Sequence, residues 1–345
     1  MKSERYSLKN SVVCIPKIIR VSAGSAIVLE LLNGKLDAKP TAAYLMTYRK
    51  GKCSANCGFC SQARESHGRA DMLSRVSWPI FPTRSVINRI EKAVKEGKMK
   101  RVCLQALNYP GVFMHLACLA NVIHKKIDAP ISVSCQPLDI DNIRFLAEAG
   151  VERIAIPLDA STEELFNKIK GFSAGGPYIW DEQFKILGDA VNVFGRGKVS
   201  THLIVGLGET EKDMIRLIQR CVDMGVLPAL FAFTPISGTA LERNPPPSIQ
   251  KYRQIQIARY LIVHGMARYE SMQFDGEKCI SDFGVDNQAL LNTIRTGEPF
   301  RTSGCPDCNR PYYNEKPSGP IYNYPRQLTE KERCSVLKAL SSDGT

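Results

Sequence analysis

The chain has 345 residues, with 46 Lys and Arg against 34 Asp and Glu, a formal charge of +12. Hydrophobic residues make up 44% and charged residues 23%, a globular balance that excludes a largely disordered chain, a collagen and a small disulfide scaffold. No run approaches the ~18 unbroken apolar residues of a membrane helix. The opening Met1-Lys-Ser-Glu-Arg-Tyr leads into no apolar signal core, so a cytoplasmic protein without a membrane anchor is expected.

A chain of this size can bury about three quarters of its unfolded surface, enough for one large barrel or two modest domains. Residues 1–39 read as a leader, with Ala26-Ile-Val-Leu-Glu-Leu-Leu a short amphipathic helix closed by Gly34. From residue 40, short β-prone runs alternate with helical ones. Strands are expected at Thr41–Tyr48, Arg101–Leu107, Ile131–Gln136, Arg153–Leu158, Val199–Val205, Leu227–Phe233 and Arg268–Phe274. Helices are expected at Ser85–Glu96, Val112–Lys125, Asp139–Ala149, Thr162–Ile169, Asp181–Val193, Glu211–Met224 and Ser248–Val263. About seven such units predict an α/β fold, a complete or nearly complete TIM-like (β/α) barrel over residues 40–295. Residues 296–345 form an extension rich in Pro, Gly, Asn, Tyr and Cys. An irregular stretch this long needs something to order it, and a metal cluster is one candidate. Thr329 with Glu332 marks the cap of a closing helix.

The twelve cysteines are expected to be reduced thiols that bind metal or pack, since nothing in the sequence directs the chain to an oxidising compartment. Cys53, Cys57 and Cys60 have the spacing C-x3-C-x2-C. Three thiolates on one loop can hold three irons of a cubane cluster and leave the fourth iron open to a chelating ligand. The competing reading is zinc, but structural zinc sites are closed by four ligands, and His67 lies too far along the chain to complete a compact knuckle. Cys305-Pro-Asp-Cys308 is a C-x2-C pair that zinc or iron–sulfur chemistry could use, and Cys279 lies just after the last expected strand. Cys14, Ser303, Cys334 or a small molecule are candidates for a fourth position.

The cysteine loop after the first strand resembles the radical S-adenosylmethionine (SAM) superfamily. The Leu203-Ile-Val-Gly-Leu-Gly-Glu-Thr210 run resembles that superfamily's adenine-binding strand, and the wider pattern resembles its biotin synthase-like branch. The resemblance implies that Cys53, Cys57 and Cys60 hold a [4Fe–4S] cluster whose open iron binds SAM. It further implies that Phe59, Asp159, Gly206 and Glu209 contact SAM, and that a 5′-deoxyadenosyl radical activates an inert C–H bond. A helix cap is the other reading of Asp159.

Cys103 and Cys135 fall at two of the three strand positions that carry a second cluster in biotin synthase. The third, around Ser200, has no cysteine, so both thiols have packing as an alternative. The tail resembles two-subunit lipoyl synthases of archaea. That resemblance implies sulfur insertion into a protein-bound octanoyl chain, with an auxiliary [4Fe–4S] cluster at Cys279, Cys305 and Cys308 near the barrel mouth as the sulfur source. It also implies an octanoylated lipoyl carrier protein, such as a glycine-cleavage H protein, a companion radical SAM subunit and an electron donor, ferredoxin or flavodoxin. The +12 charge suits an acidic carrier, whereas no basic run interleaved with aromatics points to nucleic acid. The alternatives are biotin synthase, a radical SAM enzyme without sulfur transfer such as a methylornithine synthase-like mutase, and a metal-binding module that does not cleave SAM.

Overall fold

The computed structural model describes residues 15–340. Cys14 therefore lies outside the described residues, as does the start of the leader. The β-branched run of β1 (Ile18–Val21) favours an extended backbone. It leads to α1 (Ala23–Val28), where the Ser22 hydroxyl caps the Ser25 amide. β2 (Ala42–Met46) precedes the cysteine loop, which is followed by a small hairpin, β3 (Met72–Leu73) with β4 (Val76–Ser77), and by β5 (Ile80–Pro82). Helix and strand then alternate through α2 (Thr83–Lys95), β6 (Arg101–Gln105), α3 (Val112–Lys126), β7 (Ile131–Ser134), α4 (Ile140–Glu148) and β8 (Arg153–Ala155). Next come α5 (Glu163–Ile169), α6 (Trp180–Phe194), β9 (Val199–Val205), α7 (Glu211–Asp223), β10 (Val226–Ala232) and α8 (Ile249–Val263).

The main sheet has the order β10-β9-β8-β7-β6-β2-β1-β5, with six parallel strands from β10 to β2 and an antiparallel edge made by β1 and β5. Helices pack their apolar faces against its outer side, where Val102, Leu104, Ile131, Val133 and Ile154 are buried. This is the expected α/β barrel-type fold, with two corrections. The leader is not a separate helical segment, because β1 hydrogen-bonds to β2 and joins the main sheet. The seventh expected strand is mostly a turn: the Ser271 amide and hydroxyl both donate to the Arg268 carbonyl, curling Tyr269–Ser271. Only β11 (Gln273–Phe274) is extended there, and it pairs with β12 (Ile280–Asp282) in a separate hairpin.

Beyond α9 (Asn287–Thr296) the tail runs irregularly to α10 (Glu330–Leu340). Polar anchors order it. Arg253, 2% exposed, donates to the Ile321 and Tyr322 carbonyls. The buried Glu315 carboxylate accepts from the Asn314 and Asn323 amides, and Tyr252 hydrogen-bonds Asn323. These buried hydrogen bonds tie the irregular chain to α8 and to itself. The expected cap of α10 is formed, with Thr329 and Glu332 hydrogen-bonded reciprocally. Cys118, buried on α3, is disulfide-bonded, where reduced thiols were expected; ten other described cysteines are free.

Candidate active site

Along each parallel strand, alternate side chains face either the helices or the barrel interior. The inward set includes Tyr44 and Met46 on β2, Cys103 and Gln105 on β6, Ser132 and Ser134 on β7, Ser200 and His202 on β9, and Ala229 and Phe231 on β10. They enclose a cavity of about 220 Å³ that is also lined by Cys53, Cys57, Cys60, Cys305 and Cys308.

The first three thiols enter from the C-terminal end of the strands. Their loop closes on itself: the Cys53 amide donates to the Gln62 carbonyl, Cys60 to Cys57, and Arg64 to Ala55, while the Gly58 amide is fixed to Ile169 on α5. Two sulfurs already receive backbone hydrogen bonds, Cys53 from the Asn108 amide at 3.1 Å and Cys60 from the Gln62 amide at 3.4 Å. Burial pushes the Cys57 thiol up and the Cys60 thiol up to about 12, so an electrophilic metal is what would make these groups thiolates at neutral pH. Among the described residues, no three His, Cys, Asp or Glu side chains lie close enough to share a single metal ion. The donor set fits a cubane, whose ligands are spread over separate irons.

Cys305 and Cys308 enter from the opposite end, carried by the tail. Thr41, at the start of β2, donates its hydroxyl to the Asp307 carbonyl and its amide to Asn309 Oδ1. Arg101, at the start of β6, donates to the Pro306 carbonyl, Ser132 and Glu152. Ser132 Oγ lies 3.4 Å from Cys305 Sγ, and Tyr44 Oη lies 3.3 Å from Cys308 Sγ. The Cys103 thiol is raised by burial and then by the neighbouring Cys308 and Cys305, so these three sulfurs share one environment.

Cys279 does not join them. It is exposed beside the β11–β12 hairpin, with Glu211, Asp275 and Lys251 as its charged neighbours. The expected grouping of Cys279 with Cys305 and Cys308 is corrected to Cys103 with the tail pair, at the base of the barrel and away from the mouth. Cys135 faces the outer core and does not line the cavity. Cys334 is exposed on α10, and the buried Ser303 hydroxyl is taken by the Leu230 amide.

Phe59 and Asp159 line the main cavity and an adjoining volume of about 100 Å³. Asp159 Oδ2 pairs with Lys170 Nζ at 2.7 Å, and Lys170 is 1% exposed. Thr162, and not Asp159, caps α5. Glu209 lies outside the cavity lining: its carboxylate accepts from the Gly206 and Leu207 amides and pairs with Lys251. Gly206 has φ +105°, and a Cβ there would meet Pro247 at 2.7 Å, so this strand end requires glycine.

Lys170, Arg310, Tyr178 and His202 were not anticipated from sequence. Arg310 sits 3.9 Å from the Phe231 ring centroid and lines the cavity. Burial, aided by Arg310 and Lys170, pushes His202 down to about 3, so it faces the cavity as a neutral imidazole. Asp159 neutralises Lys170, and the half-buried Arg310 adds a positive charge to the thiol-lined space.

An α/β barrel with thiols presented by the loop after its first parallel strand defines a class of cluster-binding enzymes. The Radical SAM superfamily model matches residues 49–221, and the chain belongs to that superfamily. Within it the chain is of the biotin synthase-like branch. It is 26% identical over 271 residues to a biotin synthase of Acinetobacter calcoaceticus, spanning 75% of this chain and 76% of that protein. A biotin synthase of Desulforudis audaxviator is 24% identical over 265 residues, with the same coverage. Among solved structures, methylornithine synthase aligns with a TM-score of 0.51 at 14% identity, covering 70% of this chain and 77% of that one, a likeness of fold. Membership implies a [4Fe–4S] cluster and SAM. Among the described residues no helix is long and apolar enough to cross a membrane.

Proposed function

We propose that this radical SAM enzyme is a sulfurtransferase that inserts sulfur into C–H bonds of an octanoyl chain carried on a protein lysine, the lipoyl synthase reaction. In this reading Cys53, Cys57 and Cys60 hold the SAM-binding [4Fe–4S] cluster, and Cys103, Cys305 and Cys308 hold an auxiliary one. The bound groups supply an electron to open the sulfonium C–S bond of SAM, and sulfur for the product. The observation that carries the reading is the convergence of two thiol groups on one cavity from its opposite ends.

The chain's own residues then bind and orient. Phe59 offers an aromatic face to adenine. Lys170 fixes one Asp159 oxygen and leaves the other for a ribose hydroxyl. Glu209 and Gly206 act one step back, holding the end of β9 in the shape against which the nucleoside lies. Met46, Leu107 and Phe231 line the same space and exclude water from a hydrogen-abstracting agent. Residues 40–295 serve as the barrel, and the described part of the extension from residue 296 carries Cys305 and Cys308 to its base. The net charge of +12 supports docking of an acidic carrier protein. The reaction also requires an electron donor of the ferredoxin or flavodoxin kind and, by resemblance, a companion radical SAM subunit.

Biotin synthase is the second reading, favoured by the names of the relatives and by the inward position of Cys103. Against it stand Ser200, where a third strand thiol would be needed, and the outward Cys135. The deciding experiment is mass spectrometry of an octanoylated carrier peptide, with desthiobiotin in parallel, after incubation with the reconstituted protein, SAM and reductant. Sulfur gain by the octanoyl peptide supports the proposal. Gain by desthiobiotin alone, or by neither with a companion subunit present, refutes it.

A further inference from the structure

A cavity of about 430 Å³ opens at the base of the barrel, across the Gly304–Cys308 turn from the main cavity. Gly304, Cys305 and Cys308 line both spaces, so that turn is the wall between them. The wall is thin at Gly304, which has no side chain: a Cβ there would lie 3.8 Å from Cys308 Sγ. The charged side chains of this basal space mostly pair off. Lys100 meets Asp307 at 3.4 Å, and Arg301 meets Glu298 at 3.0 Å. Burial and the neighbouring Arg259 hold His264 below its ordinary value of 6.5, so it is neutral at physiological pH. Arg259 itself is left over. Its Nε donates to the Pro228 carbonyl at 2.6 Å, which anchors the guanidinium. Among the described residues its two terminal nitrogens have no partner, yet both keep accessible surface. A half-buried guanidinium without a counter-charge is a site for an anion.

We infer that this basal cavity admits a small sulfur-bearing monoanion, hydrosulfide in its simplest form, to the thiols of the tail. Arg259 draws the anion in, and Gly304 lets it approach Cys308. Glu298 and Asp307 belong to the same lining and repel polyanions such as phosphate esters. The inference rests on the sulfur-insertion reading above. It adds the route by which sulfide of the auxiliary cluster exchanges, at the end opposite the SAM-binding loop. In that exchange one hydrosulfide enters as a bridging sulfide and passes its proton to the sulfide that leaves, so neither oxidant nor reductant is needed.

The test mixes isotopically labelled sodium sulfide anaerobically with the reconstituted full chain in excess SAM. Label entering acid-labile sulfide is followed by mass spectrometry, and the variant carrying both Cys305→Ala and Cys308→Ala gives the background from the other cluster. Arg259→Met should slow labelling of the auxiliary cluster about tenfold at unchanged iron content, and Arg259→Lys should restore most of the rate. Added salt should slow the parent but not Arg259→Met. Equal rates in the parent and Arg259→Met would overturn the inference. If the chain holds only about four irons, and so no auxiliary cluster, the question passes to the iron-free chain treated with iodoacetate or iodoacetamide and read by peptide mass mapping. The anionic reagent should be favoured at Cys305 and Cys308 relative to the exposed Cys334, and Arg259→Met should abolish that preference. A preference indifferent to Arg259 would overturn the inference there. A preference that needs Arg259, without sulfur gain in the mass-spectrometric assay, would refute the sulfur-insertion reading and leave the anion site standing. Sulfur gain with labelling indifferent to Arg259 would do the reverse.

Discussion

Cys53, Cys57 and Cys60 reach the cavity on one loop whose backbone closes on itself, whereas Cys305 and Cys308 arrive on a tail pinned from outside by Thr41 and Arg101. The loop depends on neighbours in sequence. The tail depends on partners more than 200 residues away. The first arrangement can be read from a motif and carries the activity common to the superfamily. The second needs the fold to bring its third sulfur, Cys103, alongside, and it is where this chain can specialise.

The largest expected effect separates the two ends directly. Cys57→Ala should abolish SAM cleavage, measured as 5′-deoxyadenosine, and remove about four irons per chain. Cys305→Ala with Cys308→Ala should also remove about four irons but leave SAM cleavage in place while sulfur transfer is lost. If both variants lose cleavage alike, the division of labour between the ends is wrong.

Lys170→Met probes the upper end through its buried ion pair. Leaving Asp159 without its partner should cost about 3–5 kcal/mol, read as a lower denaturant midpoint at unchanged slope. Adding Asp159→Asn should recover much of that loss. At the lower end, Arg253→Met removes the Ile321 carbonyl's donor and one of the two that Tyr322 has, Gln256 being the other, and should cost about 1–3 kcal/mol. It should expose residues 301–328 to limited proteolysis before the barrel is cut.

The smallest effect concerns α10. The Arg326 guanidinium beside Glu332 holds its carboxyl down to about 2, below its ordinary value of 4.5. A depressed acid stabilises the fold above its unfolded pKa, and that contribution fades as pH falls from 4.5 toward 2. Because the pair is partly exposed, Glu332→Gln should cost no more than about 1 kcal/mol at neutral pH. The difference from the parent should close by about pH 2, followed by thermal melts across the acid range.

The alternation of the parallel strands and helices was legible in sequence, and β9 occupies the span expected, Val199–Val205. The cysteine loop was legible because its spacing is local. The inner face of the barrel was written in the strands as well: polar residues at 101, 103 and 105, and at 132 and 134, alternate with apolar ones that face the helices. That pattern separates inward Cys103 from outward Cys135. Cys279 was misgrouped because proximity in sequence to an expected strand says nothing about a hairpin that never joins the sheet. Lys170 had no local signal, since its importance comes from Asp159, eleven residues away at the other end of α5.

Iron and sulfide counting on the anaerobically reconstituted protein, with the two motif variants alongside, tests the two-ended account most directly. The account predicts about eight irons in the parent chain and about four in each variant. About four irons in the parent, unchanged when Cys305 and Cys308 are replaced, would contradict it.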